Sequence, residues 1–127
     1  MNKSIQLLIV DDSAMMRAVL RRAVTAADPS IVIHEAANGL EAILTMEREH
    51  IDAVFTDINM PVMSGIDLLR EMQTRAWHHI QSVVISTDGT EARHTEARDL
   101  NVRVYLTKPF SPDALQRVLD QLSVECS

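Results

Sequence analysis

Five short apolar runs rich in β-branched residues alternate with helix-like stretches along the chain, and this repeat restricts the possible folds more than any other feature. The runs lie near residues 5–10, 31–36, 52–56, 82–86 and 102–106. Continuous apolar runs of this length are typical of strands that are buried on both faces. Because right-handed crossovers lay each intervening helix over the sheet, the repeat predicts an α/β three-layer sandwich with a five-stranded parallel sheet and flanking helices.

Capping residues mark where several of the predicted helices begin. Ser13 precedes a stretch with helical apolar spacing, and Ser111, Pro112 and Asp113 suit an N-cap, a first helical position and a first-turn acid. The fourth helical stretch, residues 89–99, contains only alanines as apolar residues. We therefore expect it to bury little surface, either as a solvated helix or as a mobile element whose position the functional site controls.

Three acidic residues follow two of the predicted strands. Asp11 and Asp12 end the first run, and Asp57 ends the third. Ligands of open parallel sheets bind beyond the carboxyl ends of the strands, where Ser86 and Lys108 should also lie. Two carboxylates about 4 Å apart repel by roughly 4 kcal/mol at an effective dielectric near 20. A hard divalent cation such as Mg²⁺, which prefers oxygen ligands, would offset this repulsion together with the lysine.

Length and charge narrow the class of protein. The 127 residues, 46% of them hydrophobic, predict one domain over residues 1–127. Eighteen acidic and twelve basic residues give a net charge of -6, and no basic run is present, so direct nucleic-acid binding is not expected. The sequence contains neither a signal-peptide pattern nor a run of membrane-spanning length, which predicts a cytoplasmic protein without membrane insertion.

Four segments, in this order, resemble the receiver domain of bacterial two-component response regulators, most closely the single-domain chemotaxis-regulator type. They are LLIVDDSAMMR, TDINMPVMSG, the serine after VVI, and YLTKPF. The resemblance extends over almost the whole chain. The resemblance implies a flavodoxin-like fold with strand order 2-1-3-4-5. It also implies a phosphoacceptor signalling switch that is not an enzyme beyond catalysing its own phosphorylation and dephosphorylation.

The resemblance further assigns chemistry to particular residues. Asp57 would accept a phosphoryl group from a sensor histidine kinase or a histidine phosphotransfer protein. Lys108 and Ser86 would contact the resulting acyl phosphate. Mg²⁺, or Mn²⁺ in its place, would be held by Asp12, Asp57, the backbone carbonyl of Asn59 and, through a bound water, Asp11.

Switching and dephosphorylation are implied by the same resemblance. Ser86 would move toward the phosphoryl group while Tyr105 rotates inward, which changes the face made by the fourth helix, the last strand and the last helix. A downstream target protein would read that face. Asn59 and Asp88 would tune hydrolysis by orienting or blocking water, and their small side chains predict a short-lived phosphorylated state.

Two residues depart from the family pattern. Thr87 stands where a small residue is more usual, and its branched side chain is expected to narrow access to Asp57. Asn101 stands where a glycine often ends the fourth helix, and asparagine also tolerates the left-handed conformation needed there. The Lys108-Pro109 bond resembles the cis peptide of the family, and the proline permits this assignment because cis peptides are nearly confined to proline.

Three other interpretations fit parts of the pattern. An aspartyl-nucleophile phosphatase of the haloacid dehalogenase type would need a second Asp two positions after the nucleophile, where this chain has Asn59. A flavodoxin-like flavin carrier would need a phosphate-binding loop after the first strand, where Asp11 and Asp12 would repel phosphate. A receiver domain excised from a longer regulator would keep the same chemistry and differ in output.

Overall fold

Strands and helices alternate through the whole of the computed structural model, which describes residues 4–126 and the side chains of residues 4–122. The elements are β1 (Gln6–Val10), α1 (Ala14–Ala27), β2 (Val32–Ala36), α2 (Gly39–Arg48), β3 (Ala53–Thr56), α3 (Gly65–Thr74), β4 (Gln81–Ser86), α4 (Glu91–Asp99), β5 (Val104–Thr107) and α5 (Pro112–Cys126). The predicted βα repeat is confirmed. Residues 1–3 and 127 of the predicted single domain lie outside the described residues.

All five strands pair in parallel, in the order β2-β1-β3-β4-β5. The chain leaves β1 to form β2 on one side and then β3 on the other, so the switch in strand order falls at the carboxyl ends of β1 and β3. Val10 lies opposite Ala36 on one side and Thr56 on the other. The flavodoxin-like fold and strand order are therefore confirmed, and the crevice for a ligand falls beside Asp11 and Asp57.

The helices form two layers because the buried strand residues alternate between the sheet faces. Leu8 and Val10 pack with residues of α2, α3 and α4, whereas Leu7 and Ile9 pack with residues of α1 and α5. All four residues of β3 are buried. Since a fully buried Leu, Ile or Val stabilises a fold by about 1.5–3 kcal/mol, these layers hold the strand ends in place.

Helix α4 is the lightly packed element that the sequence predicted. Ala97 is its one buried residue. The hydroxyl of Thr90 caps the helix by accepting a hydrogen bond from the Arg93 N–H, with a donor-acceptor distance of 3.4 Å. Few buried apolar contacts mean that shifting this helix costs less than shifting its neighbours.

The predicted serine caps are present. The Ser13 hydroxyl accepts from the Met16 N–H at 3.2 Å, and the Ser111 hydroxyl accepts from the Ala114 N–H at 3.1 Å. Each cap satisfies an N–H that the first turn leaves without an intrahelical acceptor. Among residues 4–126, no helix is both long and apolar enough to cross a membrane.

Left-handed backbone occurs at Asn101, with φ 61°, and at Val62, with φ 70°. The expected left-handed turn after α4 is thus confirmed, as is the cis Lys108-Pro109 peptide. Ala76 is also left-handed, with φ 57°, but Val62 is the more strained case, because a β-branched residue strongly disfavours positive φ. Its side chain is 80% exposed, so packing does not offset the strain.

Replacing Val62 with Asn should therefore stabilise the protein. A left-handed non-glycine residue costs about 1–2 kcal/mol, and asparagine carries less of that penalty, so Val62→Asn should raise the free energy of unfolding by about 1 kcal/mol. The reciprocal variant Asn101→Val should lower it by a similar amount. Urea denaturation of both variants measures the two changes, and a Val62→Asn protein no more stable than the parent would contradict the strain at this position.

Candidate functional site

An ammonium group lies between two carboxylates at the carboxyl edge of the sheet. Asp11 follows β1, Asp57 follows β3, and Lys108 follows β5. The Lys108 Nζ is 3.5 Å from the Asp11 Oδ2 and 3.5 Å from the Asp57 Oδ2. Because β4 separates β3 from β5, the lysine side chain reaches across the end of β4. The structure thus brings together three residues that are distant in the sequence.

Among the acidic residues whose side chains the structure describes, Asp11 is the most buried, with 3% of its surface exposed. One carboxylate oxygen accepts from the Ser13 N–H at 2.9 Å. Burial raises the pKa of the Asp11 carboxyl, and the charges of Asp57 and Asp12 raise it further, against the opposing effects of the Ser13 hydrogen bond and the Lys108 ammonium. A second positive charge at this edge would favour the ionised form.

Asp57 is oriented by the backbone that follows it. Its Oδ1 accepts from the Ile58 N–H at 2.7 Å and from the Asn59 N–H at 3.3 Å, which leaves Oδ2 turned toward Lys108. Gly65, at the start of α3, approaches closely, since a Cβ there would lie 2.1 Å from the Asp57 carbonyl oxygen. Glycine is required at this contact. Sequence reasoning missed this contact.

Ser86 and Tyr105 meet at the loop after β4. Ser86 is completely buried, and its hydroxyl accepts from the Asp88 N–H at 3.1 Å. The Tyr105 hydroxyl donates to the Asp88 carbonyl, and the His94 ring stacks on the Tyr105 ring with centroids 4.0 Å apart. Burial raises the pKa of the Tyr105 hydroxyl. The tyrosine therefore links β5 both to the β4-α4 loop and to α4.

The side chain of Asp88 is bound to the beginning of α4. One oxygen accepts from the Thr90 N–H at 3.1 Å, and the other is 3.5 Å from the Arg93 Nε. The Thr90 hydrogen bonds are the main cause of a lowered pKa at Asp88, and Arg93 adds to the effect. Asp12 and Asn59 are both exposed. Thr87 is also exposed, and it lines a groove beside Lys108.

The donor set suits Mg²⁺ in type but does not form a closed cage. Within the described part of the chain, no three His, Cys, Asp or Glu side chains converge closely enough to hold a metal ion. Mg²⁺ does not require such a cage, because it binds through one or two carboxylates and retains waters or phosphate oxygens. Burial, and to a lesser extent the charges of Asp57 and Asp12, raise the pKa of Asp11, so added positive charge at this edge would favour its ionised form. The carboxylates therefore fit this ion.

Sequence reasoning missed Arg17 on α1. Its Nη1 donates to the Asp11 backbone carbonyl at 2.7 Å, and its Nε donates to the Glu35 Oε1 at 3.0 Å. The only available signal was a basic residue one helical turn after Ser13, in the segment that follows the two acidic residues.

An apolar groove of about 840 Å³ runs between α1 and α5 beside the site. Its lining includes Met16, Val19, Phe110 and Leu115, and Lys108 lies in the same lining. Val19 is half exposed. The acidic edge is therefore adjoined by a surface with apolar side chains available to another protein.

Comparison with known proteins places these features in a family. The model of the response regulator receiver domain matches residues 7–120. The chain is 34% identical to the chemotaxis protein CheY of Thermotoga maritima over 118 residues, which cover 93% of this chain and 97% of that protein. It is 32% identical to the chemotaxis protein CheY-3 of Vibrio cholerae over 123 residues, which cover 96% and 94% respectively.

A solved structure shares the same architecture. The chemotaxis protein CheY4 of Vibrio cholerae superposes with a TM-score of 0.83 at 25% identity, covering 94% of this chain and 99% of that chain. A receiver domain protein from Methanospirillum hungatei gives a TM-score of 0.84 at 20% identity, which shows a common fold alone.

The electrostatics of Asp11 predict how stability depends on pH. A carboxyl whose pKa is raised by folding stabilises the fold at low pH, and that contribution is lost as the pH rises through the folded pKa. Asp11→Asn should therefore raise the free energy of unfolding at neutral pH by about 1 kcal/mol, which is the usual size of a single-substitution effect. The gain should shrink as the pH falls toward 3.8, the ordinary value for Asp.

Urea denaturation in buffer without divalent cations, repeated over this pH range, measures the difference in the free energy of unfolding between Asp11→Asn and the parent. The exposed Asp99→Asn on α4 is the matched control and should stay within about 0.5 kcal/mol of the parent. An Asp11→Asn protein that is less stable than the parent at neutral pH would show that the lost contact with Lys108 outweighs burial.

Proposed function

Because the chain belongs to the response regulator receiver domain family, we propose that it is the phosphoacceptor switch of a two-component signalling system, with Asp57 as the acceptor. Receiver domains are signalling proteins and not enzymes that act on an external substrate. The observation that carries the proposal is the Lys108 ammonium, which lies 3.5 Å from both the Asp57 and the Asp11 carboxylates. Such a group neutralises charge on a phosphoryl group bound between them.

In the proposed reaction an Asp57 carboxylate oxygen attacks the phosphorus of a phosphohistidine on a kinase or phosphotransfer protein. The phosphorus–nitrogen bond breaks, the imidazole leaves, and an acyl phosphate forms on Asp57. The two backbone hydrogen bonds to Oδ1 fix the carboxylate, and this positioning is the main contribution a protein makes to phosphoryl transfer. Lys108 would then contact the phosphoryl oxygens in place of the carboxylates.

The proposed cation site uses Asp12, Asp57 and the Asn59 backbone carbonyl, with Asp11 acting through a bound water. Mg²⁺, or Mn²⁺, when bound would neutralise the phosphoryl oxygens. The exposed position of Asp12 and the burial of Asp11 support this division, because an exposed carboxylate can bind a hydrated cation directly.

Phosphorylation would switch the face made by α4, β5 and α5. Ser86 would donate its hydroxyl to the phosphoryl group, which releases the Asp88 N–H and shifts the loop that Tyr105 contacts. Changing a two-state equilibrium from 1:99 to 99:1 requires about 5.5 kcal/mol of differential stabilisation. The light packing of α4 supports this element as the one that moves.

Two kinds of protein partner follow from the proposal. A histidine kinase or phosphotransfer protein would dock on the apolar groove between α1 and α5, which reaches Lys108. A downstream target protein would bind the α4-β5-α5 face. Direct nucleic-acid binding is not proposed, given the net charge of -6, and a cytoplasmic location stays a prediction from the sequence.

Two alternatives remain distinct from this proposal. The receiver would have the same chemistry within a longer regulator, with a different output. A phospho-Asp phosphatase would need an acid/base group two positions after Asp57, and Asn59 cannot supply a proton there.

Incubation with Mg²⁺ and a small acyl phosphate or phosphoramidate donor should add one phosphoryl group per molecule. The carboxylate oxygen that attacks is absent from Asp57→Asn, so this variant should remain unmodified. Intact-mass measurement distinguishes the two results. Asp52→Asn, outside the cluster, is the control and should be labelled like the parent. Equal labelling of parent and Asp57→Asn would eliminate this acceptor.

The phosphorylated protein should lose its phosphoryl group within minutes rather than hours at neutral pH. The reason is that Asn59 is exposed and Asp88 is bound to α4, which leaves space for water beside Asp57. Removing free donor and following the intact mass over time measures the lifetime. Replacing Asn59 with the bulky Arg should lengthen it, and a parent phosphoprotein stable for many hours would contradict the role of water here.

A further inference from the structure

Arg17 joins the acidic turn after β1 to the edge strand β2. Its guanidinium donates through Nη1 to the Asp11 carbonyl at 2.7 Å and through Nε to Glu35 at 3.0 Å. The side chain is 17% exposed. The planar guanidinium therefore donates hydrogen bonds to two different parts of the structure. Together these two bonds restrict the orientation of the guanidinium more than a single bond would.

Glu35 is itself held by a second arginine. The Arg21 Nε lies 2.7 Å from the Glu35 Oε2, so the carboxylate bridges two arginines one turn apart on α1. These contacts lower the pKa of Glu35, with the Arg21 hydrogen bond as the main cause. A carboxylate that stays ionised offsets the repulsion between the two arginines and fixes Arg17 against the sheet.

The backbone N–H, the backbone carbonyl and the carboxylate of Asp11 all have hydrogen-bond partners. Its N–H donates to the Ala36 carbonyl at 3.2 Å, its carboxylate accepts from the Ser13 N–H, and its carbonyl accepts from Arg17. That carbonyl belongs to the peptide that joins Asp11 to Asp12. The plane of this peptide sets the direction in which both acidic side chains leave the backbone.

We propose that Arg17 is a positioning residue for the cation site, because its hydrogen bond fixes the Asp11-Asp12 peptide and so orients both carboxylates toward Mg²⁺. The inference rests on the proposed phosphoacceptor function. Arg17 acts through the backbone and is distinct from the groups that contact the phosphoryl group. Glu35 is the residue that holds the guanidinium in place.

A lysine cannot replace this arginine. A lysine ammonium has no planar fork, so it cannot bind the Asp11 carbonyl and Glu35 in the same arrangement. Groups that orient metal ligands typically change metal affinity by about 10- to 100-fold when they are removed. Arg17→Lys should therefore raise the dissociation constant for Mg²⁺ about tenfold. The rate of phosphorylation at saturating Mg²⁺ should change by less than about twofold, since Asp57 and Lys108 are untouched.

Calorimetric titration of the unphosphorylated protein with Mg²⁺ measures the affinity. Measuring the rate of phosphorylation by a small donor at increasing Mg²⁺ gives separately the Mg²⁺ concentration at half-saturation and the maximal rate. Glu35→Gln should weaken Mg²⁺ binding in the same direction but less, because the hydrogen bond partner remains while the charge is lost. Exposed Arg22→Lys on the same helix is the control and should bind Mg²⁺ like the parent. Urea denaturation checks that each variant is folded.

The outcomes separate this inference from the function on which it rests. A parent protein that binds no Mg²⁺ and accepts no phosphoryl group would overturn the proposed function. If the parent binds Mg²⁺ and accepts a phosphoryl group, but Arg17→Lys binds Mg²⁺ with unchanged affinity, only the positioning role is overturned. The same holds if Arg17→Lys is less stable than the parent but binds Mg²⁺ equally well. If Arg17→Lys does not fold, Glu35→Gln decides the question, and unchanged affinity in that variant overturns the role.

Discussion

The contact of one lysine ammonium with two carboxylates is the interaction on which the acidic edge depends. Asp11 and Asp57 would repel each other across the end of the sheet, and burial makes the charge on Asp11 still more costly. Lys108 reduces this repulsion at 3.5 Å from each. The pKa of Asp11 nevertheless remains raised, chiefly because the carboxyl is buried and further because of the charges of Asp57 and Asp12. Additional positive charge at this edge would therefore favour the ionised form of Asp11.

Sheet topology brings these charges together. With β1 between β2 and β3, the first and third strands end side by side, and the turns that follow them carry the acids. The turn after β3 is closely packed, because the Gly65 backbone approaches the Asp57 carbonyl so nearly that a side chain at position 65 would not fit. Arg17 performs a comparable task on the other side by binding the Asp11 carbonyl. Both contacts place carboxylates through the main chain, which lets the side chains remain available for chemistry.

The sequence predicted the βα repeat and the convergence of Asp11, Asp57 and Lys108, because runs, caps and strand ends are local signals that topology then combines. The strand order followed from the family resemblance. The sequence could not predict the Arg17 contact, since a backbone carbonyl as an acceptor leaves no trace in residue types. The strained Val62 was also missed, because a β-branched residue argues against positive φ. The stack of His94 on Tyr105 was also missed, because it depends on a pairing between α4 and β5 that sequence spacing does not reveal.

In the proposed switch, that stack would connect the lightly packed helix α4 to changes at the site. Only Ala97 anchors α4 in the core, so its position depends on its N-terminal turn, where Asp88 binds Thr90 and Arg93, and on the contact of His94 with Tyr105. Asp88 contacts both the site and the tyrosine through its backbone. Its N–H donates to the Ser86 hydroxyl, and its carbonyl accepts from the Tyr105 hydroxyl. A change in the hydrogen bond of Ser86 therefore acts on the same peptide segment that holds the tyrosine. In the proposed switch, coupling between the acidic edge and the α4-β5 surface would pass through this loop.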